Sequence, residues 1–90
     1  MISMYYVYLL KSVKTQKLCI GYTHDLRKRF AEHNRGISRE TKAYIPFELV
    51  YYEAYRSKTD ARKRELKLKN FKQGYTRLKE RILNSIAGQN

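Results

Sequence analysis

The sequence predicts an α/β fold of the α+β kind: a three-stranded, mostly antiparallel sheet flanked by helices, in the order β-β-α-β-α-α. Three observations carry it. Runs rich in aromatic and branched residues recur at Tyr5–Lys11, Leu18–Tyr22 and Phe47–Tyr55, the composition of strands. Apolar residues spaced three and four apart follow the second and third runs, the period of helices. Only the polar stretch Ser12–Lys17 separates the first two runs, so they pair as an antiparallel hairpin. The third strand returns to the sheet across a helix.

Each element follows from local chemistry. Thr23 is read as the N-cap of the first helix, with Asp25 in the first turn, where a carboxylate suits the helix dipole. Leu26, Phe30 and His33 then share one helical face, and Gly36 supplies the stop. Ile37–Pro46 lacks periodicity, carries Arg39, Thr41, Lys42 and the only proline, and is read as a basic loop. Ser57 with Asp60 three residues on resembles a capping box and opens a second helix over about Thr59–Phe71, ended by Gly74. A third helix over about Thr76–Ile86 aligns Leu78, Ile82 and Ile86 on one stripe, with Leu83 beside it. A single domain over 4–86 is expected, with 1–3 and 87–90 as flexible ends.

Charge narrows the function. Twenty Lys and Arg against eight Asp and Glu give a formal +12. Such a field draws polyanions, nucleic acid first. Binding to an acidic membrane surface calls for a basic helix with a bulky apolar face, or for a lipid anchor, and neither is read here. Tyr5–Leu10, the longest apolar run, falls far short of the ~20 residues that cross a bilayer. No signal-peptide pattern is read either. The single cysteine, Cys19, has no intrachain partner, and the expected compartment is the cytoplasm.

Three groups of polar residues break the folding pattern, and such breaks point to function. Arg29 and His33 fall on the face that Leu26 and Phe30 turn inward. An arginine there needs an anion or a strong partner, or else snorkels along the edge of the stripe; His33 reads equally as an edge histidine. In the second helix Glu65 lies on the stripe of Ala61 and Leu68, amid Arg62, Lys63, Arg64, Lys67 and Lys69. Pairing with those bases and holding a divalent metal through oxygen are both open to it. Tyrosine is the third oddity, at nine residues with no tryptophan. Tyr6 and Tyr8 alternate onto one face of the first strand, and Tyr51, Tyr52 and Tyr55 crowd the third. They read as cross-strand packing or as stacking surfaces for bases.

Tyr6-Val7-Tyr8, followed by Cys19-Ile20-Gly21, resembles the paired tripeptides that name the GIY-YIG nucleases. The resemblance extends through Gly21 to Arg29, then Glu32-His33-Asn34, Gly36, Thr41-Lys42, Pro46-Phe47, Leu49 to Glu53 and Ala61 to Glu65. It spans roughly residues 5–72 and is nearest to the short stand-alone members called UvrC-like or excinuclease-like. It implies that Tyr8 is the catalytic tyrosine of the first tripeptide and Arg29 the arginine at the scissile phosphate. His33 matches a position near the nucleophile, and Glu65 the metal-binding glutamate. The implied reaction is phosphodiester hydrolysis with one divalent ion, Mg²⁺ or alternatively Mn²⁺. Glu65 holds the ion, Tyr8 accepts a proton from the attacking water, and Arg29 meets the developing charge. With an ordinary phenol pKa near 10, Tyr8 needs positive charge beside it. Arg27, Lys28, Arg39, Lys42, Arg62, Lys63, Lys67 and Lys69 are the expected contacts to the nucleic-acid backbone, DNA ahead of RNA.

The chain departs from the family pattern twice. Cys19 stands where the family carries its second catalytic tyrosine, and a thiol on a short side chain cannot reproduce that hydroxyl. Strand alternation turns the neighbouring Tyr22 to the other face. Some members also carry an asparagine downstream of the glutamate; Asn70 lies too near Glu65 to match it, and Arg77 is nearer the expected distance. An endonuclease is therefore weighed against a non-catalytic basic nucleic-acid-binding module on the same fold, which Cys19 favours. A basic structural protein of a ribonucleoprotein is a third reading.

Overall fold

The most apolar segment of the chain becomes the middle of the sheet. In this computed structural model, which describes residues 3–89, β1 (Tyr5–Ser12) lies between β2 (Leu18–Thr23) and β3 (Phe47–Tyr55), antiparallel to both. Met1, Ile2 and Asn90, three of the expected flexible-end residues, fall outside the described residues. A central strand is covered on both faces, which is why Val7, Tyr8, Leu9 and Leu10 are all buried in succession.

The two faces are covered differently. Val7 faces α2 (Lys58–Asn70) and α3 (Lys72–Arg81), and packs with Ala61, Leu68 and Leu78. Tyr8 faces α1 (Leu26–Asn34), where His33 packs edge-on between the Tyr8 and Phe47 rings. The C-terminal end of α1 is pinned to the start of β3 by one side chain. Asn34 Nδ2 donates to the Phe47 carbonyl at 3.1 Å, and its Oδ1 accepts from the Phe47 N–H at 2.6 Å.

Three helix boundaries differ from the sequence expectation. Asp25, not Thr23, caps α1, accepting from the Lys28 N–H at 3.1 Å. Thr23 Oγ1 instead binds the Asp25 backbone two residues on, closing a turn. Helix α2 ends at Asn70, where Phe71 turns extended, so Gly74 is inside α3 rather than a breaker. The expected third helix divides at Ile82, leaving a short α4 (Leu83–Ala87) capped by Gly88 in the left-handed conformation. Ser57 caps α2 as expected, accepting from the Asp60 N–H. The basic loop holds one turn of 3₁₀ helix at Lys42–Tyr44. No described helix is long and apolar enough to cross a membrane.

One ion pair fixes α2 to the sheet. Arg64 donates to both Glu53 oxygens, Nε to Oε1 and Nη2 to Oε2 at 2.9 Å each, and the Tyr51 and Tyr55 hydroxyls donate to the same carboxylate. Burial would raise the Glu53 carboxyl, but Arg64 with the two tyrosines outweighs it and holds the group below its ordinary value. Its contribution to stability is therefore full above the unfolded-chain value and disappears as pH falls through the lower folded-state value. Arg64→Ala leaves a mostly buried carboxylate short of its strongest partner. The expected loss is about 2–3 kcal/mol, read from urea unfolding at neutral pH, and it should shrink in acid.

Candidate active site

Gly21 is where the site begins. It pairs with Tyr8 across β1 and β2, and the Tyr8 ring lies so close over it that any Cβ at position 21 would overlap the ring. Crossing bare backbone, the phenol reaches a hollow of about 160 Å³ at the β2 side of the sheet. Strand β1 supplies Tyr8 to that hollow, β2 supplies Cys19, α1 supplies Arg29 and His33, and α2 supplies Glu65 and Lys69. The residues that looked misplaced in sequence thus converge from three segments, β1, α1 and α2.

The hydrogen bonds form a chain. Tyr8 Oη lies 2.9 Å from His33 Nε2, and His33 Nδ1 lies 2.9 Å from Thr41 Oγ1. His33 is buried at 5% exposure, and burial, with repulsion from Arg29, holds its imidazole below the ordinary value against the opposing pull of Glu32. It is neutral at pH 7, with one ring nitrogen donating and the other accepting. Burial also pushes the Tyr8 phenol above its ordinary value, and Arg29, which pulls it down, does not offset that. The positive charge expected to lower this phenol is present, but desolvation is the larger effect.

Arg29 stands at the rim, with its side chain 34% exposed and Nη1 3.2 Å from Glu32 Oε1. It combines both sequence readings, an edge arginine whose head turns toward the hollow. Glu65, 6% exposed, has both oxygens engaged: Oε2 accepts from Lys69 Nζ at 2.9 Å and Oε1 pairs with Arg62 Nη1 at 3.3 Å. The guanidinium of Arg62 also stacks over the Tyr22 ring, 4.8 Å from its centre. Among the described residues no three His, Cys, Asp or Glu side chains gather as a metal cage. One inward carboxylate on an open hollow is nevertheless how Mg²⁺ is usually held, with water and substrate phosphate completing its shell. The donor set fits a divalent ion that must displace an ammonium or guanidinium to bind.

Cys19 pairs with Leu10 on the Tyr8 face and is half-buried; burial raises its thiol against the pull of Lys17. No local kink brings Tyr22 around. It pairs with Val7 and packs against the core on the α2 side, as alternation required, although from there it still borders the hollow beneath Arg62.

The expected basic contacts divide. Lys69 and Arg62 reach Glu65 directly, and exposed Arg39 and Lys42 flank the Ser38, Glu40 and Thr41 wall of the hollow. Lys28 is exposed on α1. Arg27 faces a different hollow, and Lys63 and Lys67 line a groove with Leu66 and Phe71 elsewhere on α2. Lys63 and Lys67 each lie two residues from Glu65, so helical rotation turns them to another side of α2. Sequence reasoning gave Thr41 no role of its own, because its partner lies eight residues away and only the loop's fold brings them together.

A family model for the GIY-YIG catalytic domain matches residues 4–79. A UPF0213 protein of Staphylococcus saprophyticus is 40% identical over 68 residues, covering 74% of this chain and 82% of that one. One from Staphylococcus haemolyticus is 41% identical with the same coverage. One from Clostridium perfringens is 40% identical over 67 residues, covering 73% and 71%. No solved structure matches.

Gly21→Ala should be among the most disruptive small substitutions in the sheet. Overpacking of this kind costs about 1–3 kcal/mol. The expected signs are a lower urea midpoint and loss of the Tyr8–His33 contact, read as a changed His33 titration by NMR.

Proposed function

The chain belongs to the GIY-YIG family, which is of nuclease type, and on that premise we propose that it is a metal-dependent endonuclease hydrolysing nucleic-acid phosphodiester bonds, DNA ahead of RNA. What supports this most directly is the one hollow lined by Tyr8, Arg29, His33 and Glu65. A structure-directed cut of the excinuclease-like kind, in a cytosol that keeps Cys19 reduced, completes the proposal.

In the proposed mechanism Arg29 binds a non-bridging oxygen of the scissile phosphate and stabilises the charge that builds on it. Tyr8 contacts the attacking water. Because burial keeps the phenol protonated at neutral pH, it needs an outlet for its proton, and neutral His33 is that outlet. With Nδ1–H donating to Thr41, Nε2 accepts the Tyr8 proton as Tyr8 takes one from water. Glu65 would hold the divalent ion, Mg²⁺ or Mn²⁺, which would supply the positive charge that offsets the charge on the phosphoryl oxygen and the leaving alkoxide. Lys69 and Arg62, beside Glu65 and each about half exposed, are placed to bind neighbouring phosphates. Protonation of His33 closes the outlet, so cleavage should fall on the acid side with an apparent pKa below the ordinary histidine value.

Purified protein with linear and branched DNA and Mg²⁺ or Mn²⁺ tests this. Cleavage is expected, and Glu65→Ala, Arg29→Ala or Tyr8→Phe should each lower it at least ~100-fold, the usual scale for loss of one such group. Robust cleavage by these variants would overturn the assignments.

Cys19 favours the second reading, a binding module that keeps fold and charge without the chemistry. Cys19→Tyr should raise the cleavage rate if the missing phenol limits the wild type. Binding without cleavage in either protein would establish the module instead, with affinity falling by a log–log salt slope of about −0.9 per neutralised duplex phosphate.

A further inference from the structure

The fold sorts the tyrosines that the sequence left undivided. Tyr5 and Tyr22 stack on each other against the core, 6.5 Å between ring centres. Tyr51 and Tyr55 are tied by their hydroxyls to Glu53, and Tyr8 to His33. Tyr44 and Tyr75 lie under the ammonium groups of Lys17 and Lys79. That leaves Tyr6 and Tyr52. They lie side by side on the α1 face of β1 and β3, with rings meeting edge to face at 5.9 Å, and Tyr52 is 53% exposed. With Phe30 and Leu26 they wall an open hollow of about 480 Å³, three times the volume of the one at Tyr8. Arg27 and His24 stand at its rim beside Asp25, whose carboxylate is engaged in capping α1.

Broad aromatic walls with cations at the rim suit a flat heteroaromatic group carrying a phosphate. A net charge of +12 selects among such ligands for a polynucleotide. The faces of paired bases are already stacked within a duplex, so only an unpaired or extruded base can enter. We propose that the Tyr6–Tyr52 hollow is a nucleobase subsite for the same strand whose phosphate lies at Arg29, a proposal that rests on the nucleic-acid reading above. The two hollows share α1: Arg29 and His33 border one, and Leu26, Arg27 and Phe30 the other. Their separation is therefore about one helix width, ~10–12 Å, which a short stretch of extended strand spans. Tyr52 is also the cross-strand neighbour of Tyr8. Base stacking on tyrosine tolerates any base, so the subsite adds affinity for unpaired strand without reading sequence.

The chain has no tryptophan, so Tyr52→Trp installs a single reporter at the rim of the hollow. Its fluorescence should be quenched by oligo(dT) and not by an abasic oligomer with the same phosphates. Tyr52→Ala should weaken oligo(dT) binding about tenfold, the scale of one stacked base, leave binding of the abasic oligomer unchanged, and be rescued by Tyr52→Phe. Equal weakening toward both oligomers, or oligo(dT) binding by anisotropy with no quench and no effect of Tyr52→Ala, would overturn the subsite while nucleic-acid binding stood. Failure of the wild type to bind either oligomer would overturn the subsite, and failure to bind branched duplex DNA as well would overturn the nucleic-acid reading with it.

Discussion

The site exists because one side chain crosses a strand that has nothing in its way. Tyr8 springs from the buried central strand, and its ring lies over Gly21 to bring a hydroxyl to the hollow at the sheet's edge. Any larger residue at 21 displaces the ring, and with it the contact to His33. The glycine is thus needed for close approach, not for a turn. Its Cys-Ile-Gly tripeptide therefore has a structural meaning that survives the loss of the tyrosine at position 19.

Two glutamates show how the same chemistry serves opposite ends. Glu53 is held by a planar guanidinium and two phenols, partners with few rotatable bonds, and it anchors α2 against the sheet. Glu65, on the helix that Arg64 anchors, is matched with Lys69 and Arg62, whose side chains are each about half exposed. Exposed, flexible cations contribute little to stability and exchange readily for another cation. The first pair is suited to hold geometry and the second to give way. Fixing α2 through Arg64 also fixes which direction Glu65, the next residue, faces.

Desolvation is the common thread in the hollow's electrostatics. It raises the Tyr8 phenol and lowers the His33 imidazole, so both groups are neutral at pH 7 although Arg29 is beside them. Transfer of a proton from the neutral phenol to the neutral imidazole by itself would leave a buried phenolate–imidazolium pair, costly at this depth, so in the proposed relay Tyr8 must take a proton from water as it gives one to His33. Arg29 lowers both values, opposing the effect of burial on the phenol and reinforcing it on the imidazole.

Strand positions, the third strand to its last residue, the Ser57 cap and the charge that selects a polyanion were legible in the sequence, because each is decided within a few residues. So was the oddity of Arg29, His33 and Glu65, since periodicity alone puts them on inward faces. Boundaries failed where two local solutions compete: Thr23 and Asp25 both offer a capping oxygen, and Gly74 tolerates a helix that Phe71 had already interrupted. What only the tertiary structure decided was which polar groups share a hollow. Helical rotation sends Lys63 and Lys67 away from Glu65, loop folding brings Thr41 to His33, and the passage over Gly21 carries Tyr8 to the β2 side. Those outcomes depend on through-space approach between segments distant in the chain, and no local pattern encodes it.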